Sequence, residues 1–211
     1  MSIMKQIFSI ALLSMVVTGC TADKQEIKPA NPSSNDQTSA VQEPSNSSTQ
    51  HASAAASDVQ AKFTQEGDHP EQAVIQLMND TKSTLDIAIY SLDYKPIIDA
   101  IVDAAGRGVS VRLITDQEHA AEKSKQKDAI QRMMTAGIPV KVNSHSGKMH
   151  LKMLVADGSS VEAGSFNYLK SSVEENDDVA LIIHDAAVGR QFENAFNNMW
   201  NDKERFSDYS K

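Results

Sequence analysis

Between residues 69 and 201, short β-branched and apolar runs alternate with longer stretches in which apolar residues recur every three or four positions. Such runs are typical of buried strands, and such stretches of amphipathic helices. The predicted strands cover residues 85–92, 109–115, 138–142, 149–156, 161–165 and 178–184. The predicted helices cover residues 69–80, 96–105, 117–136 and 185–201. Strands alternating with helices of this length indicate an α/β sandwich with a central, parallel or mixed sheet.

The N-terminal 19 residues have the order of a secretory signal peptide: Lys5, an uncharged apolar stretch over 7–17, then small residues before Cys20. The apolar stretch is too short to span a bilayer comfortably. Its end resembles a lipobox, the site at which bacterial lipoproteins are acylated and cleaved, so we expect Cys20 to carry lipid. A plain signal peptide with an incidental cysteine is the alternative. Because Thr21 follows Cys20, resemblance to sorting in enteric bacteria favours an exported protein anchored in the outer membrane and facing the periplasm.

Residues 20–62 are rich in Ser, Ala, Asn, Gln and Pro and contain no aromatic residue. Such a segment cannot bury enough apolar surface to offset the entropy of ordering it, so we expect a disordered, lipid-anchored linker. About 40 flexible residues have an r.m.s. span of ~35 Å. The linker would hold the folded domain, predicted over residues 63–211, near a membrane while leaving it free to pair with a second copy.

The chain is acidic, with 20 Lys and Arg against 28 Asp and Glu and a formal net charge of −8. A protein that binds nucleic acid mainly through its overall field is normally basic. If this domain binds nucleic acid, it must therefore do so through a local positively charged cleft, despite the net negative charge of the chain.

His150 and Lys152 lie two residues apart on a predicted strand, which would point both side chains to one face and place Met149, Leu151 and Met153 in the core. The pair suits a phosphate diester, because an ammonium group neutralises the non-bridging oxygens and a neutral imidazole can attack phosphorus. Two polar residues on a sheet face are more often simply solvated. The pair alone therefore does not indicate catalysis.

The pair belongs to a longer pattern. In order, the six positions are His150, Lys152, Asp157, Gly164, Ser165 and Asn167. They resemble the HKD motif of the phospholipase D superfamily at every position and spacing, and segments 136–140 and 164–168 resemble its short, single-motif bacterial endonuclease branch. The resemblance covers residues 63–202 and implies a phospholipase D-like α/β sandwich with a central mixed sheet flanked by helices. Asp-Gly at 157–158 is also a strong hairpin signal, so Asp157, like Gly164, is expected to be structural.

The resemblance implies roles for the other motif residues. His150 would be the nucleophile that forms a phosphohistidine intermediate. Lys152 and Asn167 would bind the phosphate oxygens, and Ser165 would support the pocket by hydrogen bonding.

In the family, a downstream carboxylate also binds the other ring nitrogen of the nucleophile. Asp178 occupies that position here, where relatives usually have the longer Glu. Glu174 or Glu175 could serve instead, and a solvated acidic loop is the structural alternative for all three.

The reaction needs a second, protonated histidine opposite the nucleophile to release the leaving oxygen. The chain contains one such motif and no internal repeat. We therefore expect a homodimer whose two-fold axis brings a second His150 into one shared site. No cofactor and no metal are expected: His145 precedes His150 by five residues, but no Cys, Asp or Glu joins them at ligand spacing.

A basic run at the start of a predicted helix contains Lys123, Lys125, Lys127 and, further on, Arg132. It could border the cleft and follow a nucleic-acid backbone. A charge run is more often a solvated face, so both alternatives stay open.

Three functions remain open from the sequence. The first is an endonuclease with little sequence preference that cuts DNA or RNA without a metal. The second is a phospholipase D that hydrolyses membrane phospholipids such as phosphatidylcholine, which a lipid anchor and an acidic domain make physically reasonable. The third is a catalytically silent binding lipoprotein. A basic stripe flanking the site would favour the nuclease, and an apolar rim the lipase.

Overall fold

A computed structural model describes residues 58–210. The strands in this range are β1 (Asp58–Phe63), β2 (Thr84–Ile89), β3 (Ser110–Thr115), β4 (Val140–Asn143), β5 (Lys152–Ala156), β6 (Ser160–Gly164), β7 (Val179–His184) and β8 (Phe206–Asp208). The helices are α1 (Pro70–Asp80), α2 (Lys95–Gly106), α3 (Gln117–Glu122), α4 (Ser124–Thr135), α5 (Lys170–Glu174) and α6 (Ala186–Asn201). The predicted signal peptide, Cys20 and residues 20–57 of the predicted linker lie outside the described residues.

All of these strands form one mixed sheet in the order β1-β7-β6-β5-β2-β3-β4-β8. Strands β2, β3 and β4 are parallel, and every other neighbouring pair is antiparallel. The prediction of a central mixed sheet is therefore confirmed. Of the helices described, none is long and apolar enough to cross a bilayer.

Helices cover both faces of the sheet. Side chains of α1, α2 and α4 pack with one face, and they include Val74, Met78, Ile97, Ile101, Ile130 and Met133. Phe196 of α6 packs on the opposite face with Ala88, Met153, Val155 and Phe206. Alternate residues of β2 and β5 thus enter different cores, as the two-residue period of a strand requires.

The predicted end of the linker at residue 62 was too late, because residues 58–62 already belong to β1. The side chains of this edge strand are almost all exposed. Main-chain pairing with β7 holds β1 in place. Because β1 does not depend on burial of its side chains, its sequence lacks the alternation of apolar and polar residues that is typical of a half-buried strand. The short elements α5 and β8 escaped prediction as well.

The predicted helix over 117–136 is two helices. Lys123 adopts an extended conformation (φ −91°, ψ 108°) and separates α3 from α4. The first residue after the break that turns inward is Gln126, which is 1% exposed and accepts the N–H of Leu92, in the segment after β2. Tertiary hydrogen bonding thus overrides the helical pattern of the sequence at this point.

The predicted strand over 149–156 begins only at Lys152. Met149 and Met153 are buried as expected, but Leu151 is 44% exposed rather than part of the core. The reason is that Asp116 accepts the Met149 N–H through its side chain, so the segment before Lys152 bends away from a regular ladder.

Glu162 on β6 is completely buried, and its Oε2 accepts a 2.7 Å hydrogen bond from the Tyr168 hydroxyl. Burial raises the pKa of Glu162 from 4.5 to about 7, because desolvation disfavours the carboxylate. Tyr168 in turn donates its N–H to the carbonyl of Ser91, and its carbonyl accepts from Asp93 and Tyr94. The buried pair therefore fixes the segment after β6 against the end of β2.

We predict that the stability of the domain falls as pH rises from about 4.5 to about 7 because of Glu162. Its folded-state pKa is raised, so folding favours the protonated acid, and this contribution is lost as the proton leaves. Glu162→Gln keeps an oxygen acceptor for Tyr168 but cannot ionise. From pH 5 to pH 8, the free energy of unfolding measured with urea should fall less in the variant than in the wild-type protein, by on the order of 3 kcal/mol. Equal pH dependence in both proteins would contradict the assignment.

Candidate active site

The ends of five neighbouring strands meet at one edge of the sheet and carry the motif. Ile89 at the end of β2 pairs with Thr115 at the end of β3 and with Lys152 at the start of β5. On the other side, Gly164 at the end of β6 pairs with Ala180 at the start of β7. Carboxyl ends of parallel strands commonly form ligand sites, and here the starts of two antiparallel strands join them.

His150 and Lys152 lie in direct contact at this edge. Lys152 Nζ is 3.1 Å from Nδ1 and 3.3 Å from Nε2 of His150, and it donates to the His150 carbonyl at 2.9 Å. The lysine is buried, whereas His150 is exposed. The imidazole of His150 is thus accessible to a substrate, while the ammonium group of Lys152 beside it is buried.

The surroundings of His150 favour the neutral form of its imidazole. Burial, and then the positive charges of Lys152 and Lys148, hold the pKa of His150 below its ordinary value of 6.5. Burial also lowers the pKa of Lys152, while the charge of Asp178 opposes that effect. A neutral imidazole beside an ammonium group combines a nitrogen nucleophile with a site for a phosphate oxygen.

Tyr90 is a site residue that sequence reasoning missed. Its ring centroid lies 4.4 Å from that of His150 and 4.1 Å from that of His119. Lys152 Nζ lies 5.0 Å from the ring, and Lys148 Nζ donates to its hydroxyl at 3.1 Å. One largely buried aromatic ring therefore contacts two imidazoles and two ammonium groups.

Asp116 also escaped prediction. Its Oδ2 accepts the Met149 N–H at 3.0 Å, which places the main chain that leads into His150. Its Oδ1 accepts the His119 N–H at 3.1 Å and begins α3. Asp116 directly follows β3, and Tyr90 directly follows β2. Their positions at carboxyl ends of neighbouring strands are the sequence signal that could have identified both.

The remaining predicted site residues lie between β6 and β7. Ser165 Oγ donates to Asp178 Oδ1 at 2.8 Å and accepts the Val179 N–H at 3.1 Å. Asn167 Oδ1 and Asp178 Oδ2 are buried acceptors with no partner among the described residues. Unpaired buried acceptors are costly, and their concentration in the motif is typical of a functional site.

The carboxylate expected to bind His150 is arranged differently. Asp178 accepts from Ser165, and no bond to His150 is present within the described range. Glu174, the alternative, lies 3.5 Å from Lys170 on α5. Glu175 stands just after α5 and is exposed. Asp178 nevertheless lies close enough to Lys152 to influence its pKa.

Asp157 and Gly164 have structural positions. The Asp157 carboxylate accepts the N–H groups of Lys82, Ser83 and Thr84 at 2.7–3.0 Å, so it fixes the start of β2 from the hairpin turn. At Gly164, a Cβ atom would stand 2.0 Å from the Val179 carbonyl oxygen. Only glycine permits that approach between β6 and β7.

The predicted basic run divides in the structure. Lys123 and Lys125 line a pocket together with His119, and Lys125 lies 4.0 Å from Asp93. Lys127 lines a different pocket, beside β8, and Arg132 pairs with Asp99. Lys123 and Lys125 therefore line the same pocket as His119, whose ring packs on Tyr90. Over residues 58–210, no group of three His, Cys, Asp or Glu side chains is placed to hold a metal.

A family model and several curated relatives match this chain. The family described as "Cardiolipin synthase, PLD-like domain" matches residues 74–200, more than half of the chain. A mitochondrial cardiolipin hydrolase from Chlamydomonas reinhardtii is 28% identical over 117 residues, which are 56% of this chain and 51% of that protein. The chain spans about half to three fifths of the length of such curated relatives.

Two solved structures share the fold over their whole length. The phospholipase D family member Nuc from Salmonella typhimurium is 25% identical, with a TM-score of 0.67 over 74% of this chain. NucT from Helicobacter pylori is 21% identical, with a TM-score of 0.64 over 72% of this chain. The second likeness concerns the fold alone.

We predict that the Tyr90 ring is what shields His150 from water. Tyr90→Ala should raise the pKa of His150 towards its ordinary value, because burial is the main cause of its depression. Tyr90→Phe keeps the ring and loses only the hydroxyl bond to Lys148, so it should leave the His150 pKa low. NMR titration of the imidazole signals measures both. A His150 pKa that is equal in the two variants would contradict the prediction.

Proposed function

The chain belongs to the phospholipase D superfamily, and from this premise we propose that it is a metal-independent phosphodiesterase that acts through a phosphohistidine on His150. The observation that carries the proposal is the contact between a neutral, exposed imidazole and the buried ammonium group of Lys152. Lys152 and Asn167 would hold the non-bridging oxygens. Attack by a His150 ring nitrogen forms a P–N bond and breaks the P–O bond to the leaving alcohol.

We propose that the leaving oxygen takes its proton from His150 of a second copy of the chain. His119 acts electrostatically on His150, and the Tyr90 ring packs against both imidazoles. A homodimer with His150 near its two-fold axis would place an imidazolium opposite the nucleophile. Water, activated by that second histidine, would then cleave the P–N bond and regenerate both groups.

Nucleic acid is the substrate that the surroundings of the site favour. Lys148 stands beside His150, and Lys123 and Lys125 extend positive charge along the neighbouring pocket. These groups supply the local cationic surface that an acidic chain needs in order to bind a polyanionic backbone. We therefore propose an endonuclease with little sequence preference, acting on DNA or RNA.

A phospholipid is the second candidate, because the curated relatives described above are named cardiolipin hydrolases. The exposed large apolar side chains near the motif are Leu151 and Phe63. Two such residues give little area for contact with acyl chains, since membrane-binding surfaces present contiguous apolar patches. A lipid anchor on Cys20 and a place in the outer membrane, facing the periplasm, remain part of the proposal.

We predict that the full-length protein cleaves plasmid DNA in the presence of EDTA and that His150→Ala abolishes the cleavage. Because one His150 must be neutral and the other protonated, activity should fall on both the acidic and the alkaline side, and the lowered pKa of His150 should move the acidic fall below pH 6.5. Phosphatidylcholine and cardiolipin vesicles under the same conditions test the lipid alternative. His184→Ala, at the opposite end of the sheet, is the matched control and should remain active.

Cleavage that requires an added metal, or that survives His150→Ala, would overturn the mechanism. Cleavage of vesicles without cleavage of DNA would overturn the substrate but keep the mechanism. Absence of hydrolysis with every phosphodiester would favour a binding protein.

A further inference from the structure

A pocket of about 410 Å³ opens beside His119, in the segment that follows β3. His119, Lys123 and Lys125 line it, together with Ser91 and Gln126. The His119 ring packs on Tyr90 at 4.1 Å, and the His150 ring packs on the same phenol at 4.4 Å. The pocket is therefore a direct neighbour of the proposed reaction centre.

A hydrogen-bond chain fixes which ring nitrogen of His119 carries the proton. Ser91 Oγ donates to Gln126 Oε1 at 3.2 Å, and the same oxygen accepts the Leu92 N–H. The Ser91 hydroxyl proton is thus engaged, so Ser91 Oγ accepts from His119 Nδ1, which lies at 3.1 Å. Nε2 of the neutral ring is then the nitrogen that can gain a proton and donate to an anion.

The charges around His119 are mixed. Lys123 and Lys148 act on it electrostatically, as do Asp116 and Glu118 on its own side of the sheet. Asp116 is engaged by two N–H groups. Glu122 and Asp93 also line the pocket. Asp93 accepts the Lys170 N–H through Oδ1, and its Oδ2 lies 4.0 Å from Lys125 Nζ. Among the described residues, no ion pair holds Lys123, which lines the pocket, or Lys148, which donates to the Tyr90 hydroxyl.

We propose that His119, Lys123 and Lys148 form a second phosphate-binding position, which takes the phosphodiester next to the scissile one in a polynucleotide strand. The proposal rests on the proposed function, because the first phosphate must lie at His150. A strand with its scissile phosphate there passes Tyr90 and brings the neighbouring phosphate to His119. Nε2 of His119 takes up a proton as that phosphate binds, and the two ammonium groups complete its contacts.

Protonation makes the contribution of this position depend on pH. Burial is the main cause that lowers the pKa of His119, so the ring is neutral in the free protein at pH 7. A bound phosphate favours the charged ring. The position therefore strengthens binding more at pH 5.5 than at pH 8, with Asp116, Glu118 and Glu122 as the facing carboxylates and Lys123 and Lys148 as the facing cations.

The test compares two thymidine substrates with the full-length protein in EDTA. The dinucleotide TpT has one phosphodiester, and TpTpT has a neighbour for each phosphodiester that can be cut. We expect kcat/KM for TpTpT to exceed that for TpT by about tenfold, chiefly through a lower KM. A tenfold ratio corresponds to the contribution of about one charge-assisted hydrogen bond. His119→Asn keeps a donor for Ser91 but removes Nε2, and Lys148→Met removes a cation. Each should reduce the ratio, whereas the distant His184→Ala should keep it.

The outcomes separate this proposal from the proposed function. Cleavage of both substrates with no advantage for TpTpT, or with an advantage that His119→Asn leaves intact at pH 5.5, would overturn the second position alone. Failure to cleave TpT, TpTpT and DNA would overturn the nuclease itself. A preference for cardiolipin over phosphatidylcholine that depends on His119, without nucleotide cleavage, would overturn the polynucleotide assignment.

Discussion

The site depends on one desolvated cation. Lys152 is buried at the start of β5 and lies within 3.3 Å of both ring nitrogens of the exposed His150. Burying an ammonium group is unfavourable unless anionic or polar groups surround it. In this chain the His150 carbonyl, the Tyr90 ring and the charge of Asp178 do so. The same arrangement favours the neutral form of the imidazole, which the proposed nucleophile requires.

Much of the fold and part of the site could be predicted from the sequence, because they depend on local patterns. Apolar periodicity and the Asp157-Gly158 turn indicated the sheet, its helices and the hairpin. The parts that escaped depend on long-range contacts. Strand β1 is held by main-chain pairing, and the break at Lys123 accompanies inward bonding by Gln126. Tyr90 belongs to the site only because β2 lies next to β5, a pairing that no local pattern specifies.

The proposed phosphodiester substrate is compatible with an acidic composition if lysines near the motif supply local positive charge. The motif contributes Lys152, and Lys148, Lys123 and Lys125 come from segments outside it. Such an arrangement acts over short range only, since salt screens charges beyond about 10 Å. It favours a substrate with several closely spaced phosphates, which can contact more than one of these cations at once.

We propose that one reaction uses His150 from two copies of the chain. Co-expression of wild-type and His150→Ala chains with different tags, followed by sequential purification on both tags, isolates the mixed dimer. A shared site leaves this dimer with one histidine, so we expect its activity on DNA to fall to background. Two independent sites would instead leave about half of the wild-type activity, and that result, or full activity in a strictly monomeric protein, would contradict the account.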